Sequence, residues 1–137
     1  MRAIGPLMAT VVIACYAALA PMPAAAQKIS NPIAVFAGLD KITARVTAFE
    51  VPIDETVQFG ALRVTPRVCY TRPPTEPPFT SAFVEVDEVL VDKSEKRIFT
   101  GWMFADSPGL HAVEQPVFDV WLTDCKTAAP EAPASRQ

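Results

Sequence analysis

Histidine occurs once in this chain, and that scarcity limits the chemistry it can support. A lone His111 cannot make a His-x-His pair, and no Cys-x-x-Cys spacing occurs, so the usual zinc ligand sets are missing. No Asp-x-Asp-x-Asp-Gly loop gathers oxygen ligands for calcium. Lys and Arg never cluster, which removes the electrostatic footprint of nucleic-acid binding. After residue 33 no window carries a helical stripe, and no segment repeats. The expectation is therefore a chain without metal, cofactor, nucleic acid or, once matured, a transmembrane segment.

What is present begins with an export signal. Arg2 is followed by a mostly apolar stretch at residues 7–19, too short to span a bilayer comfortably. Ala24-Ala25-Ala26 then offers a small-residue cleavage site, so residues 1–26 read as a signal peptide. A competing reading anchors a lipoprotein at Cys15, because Val12-Ile13-Ala14-Cys15 resembles a lipobox. The residues after Cys15 are apolar, unlike a polar tether, so a periplasmic or secreted location is expected. Losing Arg2 leaves 11 basic residues against 15 acidic ones, a net charge of −4.

Cysteine is scarce too, and maturation leaves only Cys69 and Cys125. In an oxidising compartment two cysteines allow one bridge, worth about 4 kcal/mol in the chain-entropy account; the alternative is two unrelated thiols. Residues 27–33 read as a polar leader, 34–127 as an all-β domain, and 128–137 as a disordered Ala/Pro tail. Strands are expected at 43–51, 56–60, 62–70, 81–89, 97–104 and 117–125, with a turn at 38–41. Turn signals every eight to twelve residues suit a small sandwich or barrel-like antiparallel sheet. Pro66 argues for an edge or a bulge in its strand. By alternation Cys69 falls on the polar face with Arg63 and Arg67, so its bridge is expected to staple an edge. The prolines at 73, 74, 77 and 78 make residues 71–80 an extended loop, either a rigid connector or a segment for docking a partner.

Several polar and aromatic residues invite a functional reading. Ser107, His111 and Asp119 can be written as a catalytic trio, yet Pro108 follows Ser107 and no nucleophile elbow surrounds it. Trp102 shares strand parity with Ile98 and Phe104 and is expected in the core. Trp121 shares a mixed face with Asp119 and is the better candidate for an exposed binding residue. Asp119, on an aromatic strand, needs hydrogen bonds or a cation, and Arg67 on the other cysteine strand is a candidate partner. Trp121, Asp119, His111 and Arg67 are thus the candidate binding residues, and no catalytic residue is assigned.

The residues Gly101-Trp102-Met103-Phe104-Ala105, Ser107-Pro108, Leu110, Ala112, Glu114, Pro116, Asp119-Val120-Trp121 and Cys125 resemble a family signature. So do Gly38-Leu39-Asp40-Lys41, Glu55-Thr56-Val57, Phe59-Gly60, Leu62 and Cys69 upstream. They are similar to the exported domain-of-unknown-function family numbered 2155 from Gram-negative bacteria, over roughly residues 38–126. The resemblance implies export and boundaries, and no activity. Asp106, Gly109, His111, Gln115 and Phe118 stand where that pattern has Ser, Ala, Asn, His and Tyr, which counts against chemistry at those places.

The resulting expectation is a non-catalytic envelope module that binds or scaffolds a periplasmic or outer-membrane protein or glycan. The alternative is a small envelope enzyme acting on glycan or peptide. A secreted inhibitor presenting the proline loop ranks below both. N-terminal sequencing of the exported protein is expected to begin at Gln27, and a start at an acylated Cys15 would place it on a membrane instead.

Overall fold

The computed structural model describes residues 27–127; the expected signal peptide and the expected Ala/Pro tail lie outside the described residues. Nine strands run in chain order: β1 (Ile29–Ser30), β2 (Ile33–Asp40), β3 (Arg45–Pro52), β4 (Val57–Phe59), β5 (Leu62–Thr71), β6 (Ser81–Val89), β7 (Glu95–Phe104), β8 (Val113–Glu114) and β9 (Phe118–Lys126). They form two antiparallel sheets. The five-stranded sheet runs β1-β5-β6-β7 with β4 also on β5, and the four-stranded sheet runs β3-β2-β9-β8.

Period-2 alternation explains most of the core. On β6, Ala82, Val84 and Val86 are buried while Phe83, Glu85 and Asp87 face outward. Leu62 and Val64 of β5 and Met103 of β7 join them from the same sheet, and Phe36, Val51, Val120 and Leu122 close the core from the other.

Three one-residue register shifts change the picture drawn from alternation alone. On β5, Pro66 pairs with Val84 but Val68 pairs with Phe83, leaving Arg67 as the extra residue of a bulge. A one-residue insertion exchanges the two faces of everything beyond it. Cys69 therefore points into the core, fully buried, and Val68 and Tyr70 turn outward. The expected placement of Cys69 on a polar face is overturned, while the bulge reading of Pro66 holds. On β9, Leu122 pairs with Phe36 and Asp124 with Val35, so Thr123 is the extra residue and Cys125 likewise turns inward.

The third shift sits on β7 at Ile98, between the pairs Val86–Phe99 and Asp87–Arg97. Beyond it Phe99, Gly101 and Met103 carry the inward parity. Trp102 is on the outer face, 38% exposed, and not in the core as alternation with Ile98 suggested.

Cys69 and Cys125, 56 positions apart in sequence, are joined in a disulfide between the two sheets, with Cα atoms 5.9 Å apart. The leader is also more than a spacer. Asn31 is buried and its amide donates to the carbonyls of Ile29 (3.0 Å) and Cys69 (3.2 Å) and to the Thr71 hydroxyl (3.0 Å). Gly38 lies inside β2 instead of in a turn, and the Phe59 ring occupies the space a side chain would need there. The turn comes after Asp40, whose carboxylate accepts from the backbone N–H of Ile42 and Thr43 at 2.9 and 3.2 Å.

At one end of the five-stranded sheet the outer face is a ladder of ion pairs. The Arg67 guanidinium donates to Glu85 at 2.5 Å and to Asp54 at 3.1 Å, and Arg97 donates to Asp87 at 2.6 Å and Glu85 at 2.8 Å. The hydrogen bond from Arg67 holds the Glu85 carboxyl below its ordinary value, with Arg97 adding to it. Hydrogen bonds from Ser94 do the same for Asp92.

Two outcomes follow. Replacing both Cys69 and Cys125 by Ala is expected to lower unfolding free energy by about 4 kcal/mol in denaturant titrations. Because Glu85 and Asp92 bind protons less readily in the folded protein, the unfolded chain takes up more protons near the ordinary carboxylate range of about pH 4. Stability therefore rises with pH through that range and is lost as pH falls through the lowered native values. Melting curves between about pH 3 and pH 6 should show this, with a shallower slope for Glu85→Gln.

Candidate functional site

The residues singled out from sequence are scattered over both sheets. Arg67 is committed to the ion-pair ladder. Asp119 pairs with Lys41 at 2.7 Å and not with Arg67, because β9 belongs to the opposite sheet and its neighbour β2 leads directly into Lys41. Trp121 is half-buried on the outer face of the four-stranded sheet, opposite Ala37. Ser107 lies in the turn after β7, where its carbonyl accepts from the N–H of Leu110 at 2.9 Å. His111 has a left-handed backbone (φ 61°), and its Nδ1 lies 3.0 Å from the carbonyl oxygen of Trp102. Asp119 and His111 thus hold different partners, and the trio is not assembled.

The feature that does assemble is a cleft on the outer face of the five-stranded sheet. The register places Val68, Phe83 and Trp102 in one outward row and Tyr70, Ser81 and Phe104 in the next. Ser81 is the small member of its row, so a notch opens between Tyr70 and Phe104 with Ser81 at its floor. Trp102 walls one end, stacking on Tyr70 at 6.1 Å between ring centres and meeting Phe83 edge-on at 5.4 Å. Phe79, 41% exposed, reaches over from the proline loop to lie 5.7 Å from Phe104. The end of that loop is tied down next door: the Thr80 N–H donates to Asp106 at 3.0 Å, and the Ala105 N–H donates to the Thr80 carbonyl at 3.0 Å. The His111 ring lies against Phe104, 5.9 Å between ring centres, behind this wall of the cleft.

Two cations complete the site. Pairing of β1 with β5 brings Lys28 over the Tyr70 ring, 5.0 Å from its centre. Arg72 lies 5.6 Å from the centre of the Phe79 ring and donates to the Gln27 carbonyl at 3.3 Å. The electron-rich ring faces attract both charges, which holds them at the rim. Among the described residues neither forms an ion pair, although Arg63, Arg67 and Arg97 on the same sheet all do. The cleft encloses about 260 Å³. Its walls are suited to covering a flat or branched apolar group, with positive charge on one side. Among the described residues no group of three or more His, Cys, Asp or Glu side chains is placed to hold a metal ion, and no helix is long and apolar enough to cross a membrane.

Sequence reasoning missed this site for a definite reason. Unbroken alternation misplaces Tyr70, Trp102 and Phe104, because the bulges at Arg67 and Ile98 decide which way they point. One signal was legible: Phe83 shares its parity with Glu85 and Asp87, which marks an aromatic on a solvent-facing row.

No curated protein and no solved structure matches the chain. The stretch that does match, residues 34–125, spans β2 to β9 and includes both bridged cysteines and the outward aromatic rows, and it places the chain in the family described as an uncharacterized protein conserved in bacteria (DUF2155), to which it belongs.

Proposed function

We propose that this protein is a non-catalytic, exported module of the bacterial envelope that binds or scaffolds another periplasmic or outer-membrane component through the aromatic cleft. The observation that carries the reading is the cleft itself: Tyr70, Phe79, Trp102 and Phe104 line an open notch while the core of the same sheet is already filled. Exposed aromatics with apolar bodies are costly in water and productive at interfaces, where Trp and Tyr anchor binding. The export signal and the disulfide support a location in an oxidising compartment.

Complementation of a deletion strain at matched protein abundance tests the reading. Trp102→Ala removes a wall and is expected to weaken binding by about 2 kcal/mol, roughly 30-fold, enough to lose function. Ser81→Leu fills the floor of the notch and should lose function with the fold intact by circular dichroism. Ser107→Ala and Trp121→Phe should complement fully. Full complementation by both cleft variants would reject the proposal, and failure of folded Ser107→Ala would favour an enzyme instead.

A further inference from the structure

We infer, building on the binding reading above, that the cleft recognises an acidic peptide segment: one large apolar side chain seated over Ser81, with a neighbouring carboxylate meeting Arg72 or Lys28. Size is the first argument. A volume of about 260 Å³ lies near the lower end of the roughly 300–1,000 Å³ of small-molecule pockets and has room for a single bulky side chain.

Charge is the second. The outer face of this sheet satisfies its other arginines internally: Arg63 with Glu95, Arg67 with Asp54 and Glu85, Arg97 with Glu85 and Asp87. At the cleft the pattern stops: among the described residues Lys28 and Arg72 meet aromatic rings and a backbone carbonyl and form no ion pair. A cation–π contact leaves N–H donors available, and a guanidinium fork fits a carboxylate with two parallel hydrogen bonds. An arriving carboxylate would thus complete a ladder that the protein leaves unfinished at this end.

The polarity of the lining selects a peptide over a sugar. A glycan needs side-chain amides or carboxylates to meet its hydroxyls, and buried hydroxyls without partners cost binding energy. Here the lining holds no side-chain amide and no carboxylate; besides the two cations it carries the Ser81, Thr71 and Tyr70 hydroxyls and the Trp102 indole N–H, and the Thr71 hydroxyl already accepts from Asn31. An apolar side chain next to an acidic one asks for what the cleft supplies.

Trp121→Phe leaves Trp102 as the sole tryptophan, so its fluorescence reports on the cleft directly. The probes are acetyl-Gly-Asp-Phe-Asp-Gly-amide, its Asn-for-Asp twin, its Ala-for-Phe twin, an oligoglucuronate and dodecanoate. The acidic phenylalanine peptide should give a saturable change, and each twin should bind at least about tenfold more weakly, since an ionic hydrogen bond or a filled pocket is worth that much. Arg72→Gln should cause a similar loss for the acidic peptide and a smaller one for its neutral twin. Equal binding of the neutral twin, or saturation by the oligoglucuronate or dodecanoate alone, overturns the ligand class and leaves the binding-module reading standing. No saturable response to any peptide also overturns it. If Trp102→Ala and Ser81→Leu then both still complement the deletion, the module reading falls as well.

Discussion

Everything in this molecule turns on a bridge that alternation alone would forbid. Cys69 and Cys125 sit on strands of different sheets, and each is preceded by a bulge, at Arg67 and at Thr123, that swings it from the outer to the inner face. Facing sheets ordinarily stand about 10 Å apart. The two Cα atoms are only 5.9 Å apart, so the bridge pins a place where the sheets draw together. Without the two extra residues the thiols would point to solvent from opposite sides of the sandwich.

The bulge at Arg67 does a second job. The same insertion that buries Cys69 exposes Val68 and Tyr70, and Tyr70 becomes a wall of the cleft. The extra residue itself, Arg67, reaches across the outer face to Glu85 and Asp54. Staple, ion-pair ladder and cleft therefore share one backbone irregularity. On the neighbouring β7 the bulge at Ile98 plays the matching part, sending Trp102 and Phe104 outward while Met103 fills the core. The outer face is divided as a result into a charged half that satisfies itself and an aromatic half that does not.

Much of this was legible from the residues. The β-branched and aromatic runs located β3, β5, β6, β7 and β9 but missed β2, whose Gly38-Leu39-Asp40 end reads as a turn; Pro66 pointed to an edge or a bulge, and the two cysteines left after the expected signal peptide allowed one bond. What could not be read was the phase of each strand beyond its bulge, because a single unpaired residue leaves no mark on composition while inverting the faces. That one effect accounts for the misplaced Trp102 and Cys69. Asp119 was assigned the wrong cation for a different reason: pairing across sheets depends on strand order, and Lys41 adjoins it only because β2 lies beside β9. Phe79 was hidden in a proline loop whose anchoring through Thr80, Ala105 and Asp106 is a tertiary fact.

Ser81 gives the cleft an adjustable depth. It lies on the outer side of β6, covered to 7% exposure between Tyr70 and Phe104, while its neighbour Ala82 faces the core. Adjacent residues of a strand look to opposite sides, so exchanges at position 81 need not be balanced by repacking inside. Glycine there would deepen the notch by one hydroxymethyl group, and threonine or valine would make it shallower in small steps. The depth of the cleft can thus change through a single position while the core that carries stability is left as it is.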